Sequence, residues 1–323
     1  ALPSGRFTGV SPTADDLRLL AALAEAEVDA VAVSFVRSAT DVERVRLAAG
    51  PDAPMLVAKI ETQEAVDALD EVISASDGVM VARGDLGIRC ALEDVPHYQK
   101  QIIRTGVAYG RPVITATQML ESMVHAPSPT RAEVSDVANA VFDGTSALML
   151  SGETAIGHDP VAAVWTMAKI AVRAERDFDY QGWGTNLGRQ QITQTRGAPA
   201  SVRMTASISA AAWRAAADAE AAAIIACTNN GGAARAIARF RPTATVLAAT
   251  PLIRTARQLS VAWGITPLFV QKQGTTDEIV WFAIEAAVDL GVVKTDDVVA
   301  VVVGYSPDDP DAATDVLRLV RIR

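Results

Sequence analysis

The sequence predicts an α/β protein of two successive units, a parallel sheet curling towards a (β/α) barrel and then a smaller α/β sheet. Three observations predict this. From Asp16 onward, short apolar runs alternate with helix-like stretches at roughly 25–35 residues per unit, a spacing that fits strand–helix repeats around a parallel sheet. The runs are apolar throughout rather than alternating, as expected where both sheet faces are covered. Between Asp177 and Arg203 the composition turns polar and glycine-rich, which marks a boundary.

In chain order, a helix over 17–26 leads to a strand over 28–35, and a helix over 41–49 leads to a strand ending at Lys59. A third strand, Gly78-Val79-Met80-Val81, ends near Ala82, and a helix over 98–108 follows. The fourth strand is Pro112-Val113-Ile114-Thr115-Ala116 and the fifth Ser146-Ala147-Leu148-Met149-Leu150. Five strands do not close an eight-stranded barrel, and alone they leave two apolar edges. After the boundary, a helix over 206–219 precedes a strand over 223–227, then helix and strand pairs over 233–240 and 246–249, and over 253–263 and 267–270. A helix over 276–290 and strands over 298–303 and 316–320 complete the second unit. The expected division is a partial barrel over 1–180, a linker over 181–203 and an α/β domain over 204–323.

Composition narrows the function classes. The 323 residues are half hydrophobic with few aromatics, ordinary for a folded α/β protein. A net charge of −9 argues against general binding to nucleic acid or an anionic membrane. No apolar run approaches the roughly 20 residues of a membrane span. Two cysteines, Cys90 and Cys227, have neither disulfide-scaffold nor zinc spacing, and a reducing cytoplasm is the natural compartment.

The chemistry concentrates in two motifs, Lys59-Ile60-Glu61 and Ala82-Arg83-Gly84-Asp85-Leu86-Gly87, each closing a buried strand. Acids at such strand ends stand where parallel α/β folds build active sites. Lys59 and Glu61, two residues apart on an extended strand, point to one side. Together with Asp85 they predict a magnesium site beside a fixed cation, suited to a developing enolate or a phosphoryl group. The bland alternative is two strand-end acids that cap the following helices. His97, His125 and His158 lack partners at ligand spacing and read as surface or turn residues.

Longer strings carry a resemblance. Val33-Ser34-Phe35-Val36-Arg37, the two motifs above, and Thr115-Ala116-Thr117-Gln118-Met119-Leu120-Glu121-Ser122-Met123 resemble the pyruvate kinase family. The likeness continues through Pro129-Thr130-Arg131-Ala132-Glu133, Ser135-Asp136-Val137-Ala138-Asn139-Ala140 and Leu150-Ser151-Gly152-Glu153-Thr154-Ala155, and more loosely to the end. It implies strands 4–8 of a TIM barrel followed by the family's C-terminal regulatory domain. The earlier strands and the inserted lid domain are then absent, and the chain is expected to be part of a longer gene product that is not competent alone.

The resemblance also implies roles. Glu61 and Asp85 resemble the ligands of Mg2+ (or Mn2+), and Lys59 would stabilise charge on the substrate. Thr117 resembles a residue at the face where the enolate is protonated, through a water relay because a hydroxyl is too weak an acid alone. Capping the helix expected over 118–123 is the competing role for Thr117. The backbone of Gly84 and Asp85 would hold the substrate carboxylate, with Ser34 near the site. Arg83 would fix its loop or a neighbouring subunit, while Arg37, Thr130, Arg131, Glu133 and Asp136 would organise structure. For Ser151-Gly152-Glu153, lining the site and capping a helix are equal expectations.

The implied reaction transfers a phosphoryl group from phosphoenolpyruvate to ADP, giving pyruvate and ATP in a cytoplasmic homo-oligomer, a tetramer by resemblance. K+ is expected from the family, with its ligands outside this chain. Two other functions suit the motifs: a Mg2+-dependent pyruvate-enolate lyase, aldolase or decarboxylase, and a non-catalytic regulatory subunit. In the second unit, Thr228-Asn229-Asn230-Gly231-Gly232 joins a strand to a helix, a geometry that can bind phosphate. Thr228, Asn230 and Gly231 form a candidate effector loop, but Asn230 and Ala233 stand where the family's sugar-phosphate binders carry hydroxyls. With the acidic stretch over 306–312 beside it, an altered or absent effector response is expected.

Overall fold

The computed structural model describes residues 11–51, 53–272, 274–304 and 313–323. The acidic stretch over 306–312 lies outside the described residues. The chain divides between Phe178 and Asp179 into two compact units.

The first unit runs α1 (Ala14–Glu25), β1 (Ala30–Val33), α2 (Ala39–Ala49), β2 (Met55–Ile60), α3 (Gln63–Asp67) and α4 (Leu69–Ala75). It continues with β3 (Gly78–Ala82), α5 (Arg83–Arg89), α6 (Val95–Ala108), β4 (Val113–Ala116), α7 (Arg131–Asp143), β5 (Ala147–Leu148), α8 (Gly152–Ala155) and α9 (Pro160–Glu175). All five strands are parallel and neighbour one another in chain order, as successive strand–helix units of a barrel wall do. β2 and β3 are buried almost throughout, which is why they read as continuous apolar runs. The edge strands differ. In β1 Ala30 and Ala32 are exposed, and β5 is two half-buried residues rather than the five expected. An edge strand has a neighbour on one side only, so fewer of its residues meet pairing and burial together.

The second unit holds α10 (Tyr180–Gln194), α11 (Ala200–Asp218), β6 (Ala223–Cys227), α12 (Gly232–Ala238) and β7 (Thr245–Thr250). It ends with α13 (Ile253–Leu259), β8 (Ile265–Phe269), α14 (Thr276–Asp289), β9 (Val298–Val303) and β10 (Val316–Arg321). The strand order is β10-β9-β6-β7-β8, with only β10 antiparallel to its neighbour. Alternate strand residues feed two cores. Ile224, Val246 and Val302 pack under α11 and α12, while Ile225, Leu247 and Val301 pack under α14. β6, β7 and β9 are covered on both faces and carry no polar alternation, while the edge strands β8 and β10 are partly exposed.

The stretch expected as a linker, 181–203, is mostly helical. α10 occupies Tyr180–Gln194 and α11 starts at Ala200, earlier than the 206 expected. One of its glycines serves a close approach to a ring. A Cβ on Gly184 would lie 2.3 Å from Trp213 Cζ2. Trp183 Nε1 donates to Arg239 O at 2.8 Å, and the Arg241 guanidinium lies 5.4 Å from the Trp183 ring and 4.7 Å from that of Trp263. Aromatic and cation–π contacts therefore hold a helix that lacks a clear apolar stripe.

Both cysteines are free thiols. Burial pushes the Cys227 thiol up to about 12, and burial followed by the charges of Glu64, Asp67 and Asp94 raises Cys90. The thiolate is the reactive form, so Cys227 should resist alkylation at pH 8 in the folded protein and Cys90 should react slowly. Peptide mapping after iodoacetamide treatment checks this, and rapid native labelling of Cys227 would contradict it.

Candidate active site

β2 delivers its polar pair at the sheet's C-terminal end. Lys59 stands in register with Met80 of β3, and Glu61 follows directly after Ile60. By parity, both share the side of Met55 and Val57, which pack with Met80 and Ala116. Glu61 is fully buried: Oε2 accepts from the Phe35 amide at 2.7 Å, and Oε1 lies 2.6 Å from Lys59 Nζ. Lys59 also donates to Ser34 Oγ at 3.1 Å. The ends of β1 and β2 thus meet as Ser34–Lys59–Glu61, and Phe35 enters with a positive φ of 53°. A buried carboxylate is tolerated only with a close cation and hydrogen bonds, and both are present.

Despite the short ion pair, Glu61 Oε1 makes no hydrogen bond of good geometry. A buried hard oxygen without that bond fits a divalent cation. Asp85 sits in the first turn of α5, which starts at Arg83 directly after β3 with no intervening loop. Among the described residues its half-buried carboxylate has no hydrogen-bond or ion-pair partner. Two carboxylates on adjacent strand ends are available, so the donor set suits Mg2+ or Mn2+ with further positions left for water or substrate oxygens. No group of three or more metal-ligating side chains occurs among the described residues, the histidines included.

Thr117 follows β4 in a backbone that few residues adopt. Its φ is +66°, and that of Gln118 is +53°. Such strain costs on the order of 1–3 kcal/mol per residue and persists only where surroundings impose it. Arg83 imposes it. Its Nε reaches the carbonyls of Ala116 at 3.3 Å and Thr117 at 3.2 Å, and Nη2 reaches those of Thr117 at 2.6 Å and Gln118 at 3.1 Å. Nη1 is held by Asp136 at 2.5 Å and Gln99 at 3.4 Å. Of the two roles expected for Arg83, it performs the loop-fixing one.

The Thr117 hydroxyl donates to Ala116 O at 2.7 Å and accepts from the Gly84 amide at 2.8 Å. It does not cap a helix over 118–123, because only a 3-10 turn forms there, over Glu121–Val124, with Leu120 at its N-cap. Thr117 instead satisfies an orphan amide in the first turn of α5, from a different strand end. This bond and the space around Gly84 bear on its backbone. Its amide is already engaged, and a Cβ there would meet Thr117 Oγ1 at an ordinary 3.5 Å, so packing within the chain does not require glycine.

Supporting residues lie further out. Glu153, fully buried in α8, accepts from the Leu120 amide at 3.0 Å and the Ser151 amide at 2.7 Å. Thr130 and Glu133 form a capping box on α7, and Glu133 also takes the Ser122 amide at 2.7 Å and hydroxyl at 2.5 Å. Burial raises the Glu133 pKa, but the hydrogen bonds from Ser122 and Thr130 outweigh it and leave the carboxylate below its ordinary value. Arg37, just before α2, donates its amide to Asp41 in the first turn of that helix and pairs with it, a structural role. Sequence reasoning missed Gln99 and Asp143, which carry the Arg83 network on to Lys100. No motif marks them, since they are lone polar residues on different helices.

In the second unit, Thr228 Oγ1 accepts from the Gly231 amide at 2.9 Å, and Asn230 Oδ1 accepts from that of Gly232 at 2.9 Å. Gly231 has φ +78°, and a Cβ there would approach Leu259 Cδ2 to 2.8 Å, so this turn requires glycine. Thr228 and Asn229 line a cavity together with Cys227, Pro251, Lys272 and Phe282.

Comparison with known proteins places nearly the whole chain. The family model described as "Pyruvate kinase, barrel domain" matches residues 7–164, and "Pyruvate kinase, alpha/beta domain" matches 206–320. A pyruvate kinase of Clostridium acetobutylicum is 43% identical over 296 residues, covering 91% of this chain and 60% of the relative. Pyruvate kinase 2 of Synechocystis is 44% identical over 280 residues, covering 86% of this chain and 45% of the relative. A Staphylococcus epidermidis pyruvate kinase is 40% identical over 308 residues, covering 95% and 50%. The chain spans about half the length of these curated relatives. Barrel strands in chain order, the motifs at their ends and matches along nearly the whole chain agree: this chain belongs to the pyruvate kinase family.

Proposed function

We propose that this chain supplies the metal- and enolate-holding half of a site that transfers a phosphoryl group from phosphoenolpyruvate to ADP, giving pyruvate and ATP. The observation that carries the reading is the buried Glu61 oxygen at 2.6 Å from Lys59 Nζ, at the end of a barrel strand. Glu61 and Asp85 would hold Mg2+ or Mn2+, which supplies Lewis-acid stabilisation of substrate oxygens when bound. Lys59, aimed by Ser34 and Glu61, provides a fixed positive charge for the developing enolate oxygen. The Gly84–Asp85 backbone receives the substrate carboxylate, with the Gly84 amide exchanging its bond to Thr117 for one to substrate. That exchange frees a lone pair on Thr117 for the relay water that protonates the enolate carbon.

K+ dependence, a cytoplasmic location, a homotetramer and ADP/ATP binding are part of this proposal, carried by family membership. No helix among the described residues is long and apolar enough to cross a membrane. An altered or absent sugar-phosphate response at the loop of Thr228, Asn230 and Gly231 is proposed from its self-bonded turn and from Asn230 and Ala233 standing where sugar-phosphate binders carry hydroxyls.

One assay tests both readings. The protein expressed from its own gene, given Mg2+, phosphoenolpyruvate and ADP, should form pyruvate and ATP in equal amounts. Adding a sugar bisphosphate should change the rate less than about twofold. Mg2+-dependent oxaloacetate decarboxylation without turnover of phosphoenolpyruvate and ADP would overturn the first reading. A saturable sugar-bisphosphate activation would overturn the second.

A further inference from the structure

We propose that Glu153 is a positioning residue for the Thr117 hydroxyl, and so governs the proton-transfer side of the enolate site. The proposal rests on the function just given. Glu153 is fully buried, and each carboxylate oxygen accepts one backbone amide, Leu120 N at 3.0 Å and Ser151 N at 2.7 Å. Among the described residues no cation pairs with it. Among the described residues this buried carboxyl group is bonded only to those two amides, so its placement must satisfy them.

Those amides belong to the segments that follow β4 and β5, and Leu120 closes the stretch containing the two left-handed residues Thr117 and Gln118. Arg83 grips the carbonyls of Ala116, Thr117 and Gln118, and Glu153 grips the amide of Leu120. Met119 and Leu120 are fully buried between these grips, packed with residues of α7 and α9. Held at both ends, the backbone keeps its positive φ values, which place Thr117 Oγ1 beside the Gly84 amide, ready for the exchange with substrate. A glutamine at 153 offers one oxygen for two amides and turns an N–H towards the other. One grip is lost, and the left-handed pair is free to unwind.

The test isolates proton transfer by following pyruvate in D2O with Mg2+. A pyruvate methyl C–H bond breaks, its proton leaves through the relay water, and a solvent deuteron takes its place on the enolate carbon. Loss of the methyl proton signal by NMR measures the rate. In the protein expressed from its own gene, Glu153→Gln should slow this exchange by about 10–100-fold. The Kd for Mn2+, read by electron paramagnetic resonance, should stay within about twofold, because Glu61 and Asp85 do not touch the altered side chain. Thr117→Ala should slow exchange similarly, and adding Glu153→Gln to it should cost less than about threefold more, since both act through one hydroxyl. Multiplying losses, or unchanged exchange in Glu153→Gln, would overturn the proposal. If Glu153→Gln does not fold, Glu153→Asp goes through the same cycle, its shorter side chain reaching at most one amide. No exchange by the unsubstituted protein would instead overturn the enolate reading on which the proposal stands.

Discussion

Glu61→Gln should weaken Mn2+ binding by at least about 100-fold and reduce phosphoryl transfer by a similar factor or more. The substitution keeps the side chain's shape and one oxygen for the Phe35 amide, which Glu61 holds at 2.7 Å. It removes the charge that balances Lys59 and offers a donor where a metal needs hard anionic oxygen. Losing only the ion pair would be modest, because Lys59 is 24% exposed and can turn to water. The large effect therefore requires that Glu61 serve as a ligand. Titration of the variant with Mn2+ decides it, and an unchanged dissociation constant would remove Glu61 from the metal site.

Lys59→Met should lower kcat by roughly 10²–10³ with little change in Mn2+ affinity, the effect of losing one preorganised charge at a developing oxyanion. Its stability signature is opposite in origin. Glu61 is left fully buried with the Phe35 amide and no cation, a loss that costs about 3–5 kcal/mol in buried pairs. A divalent ion would replace the missing charge, so Mg2+ should raise the Tm of Lys59→Met more than that of the unsubstituted protein. Thermal unfolding with and without Mg2+ checks this. Equal shifts in both proteins would show that Glu61 does not meet the ion.

Much of this site was legible in the sequence because it is local. Lys59 and Glu61 are two residues apart on one strand, and strand parity alone puts them on one side, where the structure finds them 2.6 Å apart. Asp85 was legible for the same reason, three residues past an apolar run. Thr117 was legible as a residue of interest but not as a geometry. Its left-handed backbone is enforced by Arg83, 34 residues away in the chain, and by no neighbour that a pattern would reveal. The stretch over 181–203 misled for a related reason. Its glycines and polar residues predict a loop locally, whereas the rings of Trp183, Trp213 and Trp263 and the side chain of Arg241 hold it as helix.

By itself the sequence determined the parallel order of the strands, the buried faces that make them uniformly apolar, and the acids and lysine at their ends. These follow from periods of two and 3.6 residues and from short spacings, which local chemistry dictates. Only the tertiary structure decided what holds the Thr117–Gln118 turn, which amide the Thr117 hydroxyl takes, and that Glu153 faces inward to two backbone amides. Each of these joins residues about 30 positions or more apart in the chain or turns a side chain inward from a short helix. The energy of such contacts exists only after the strands have brought them together.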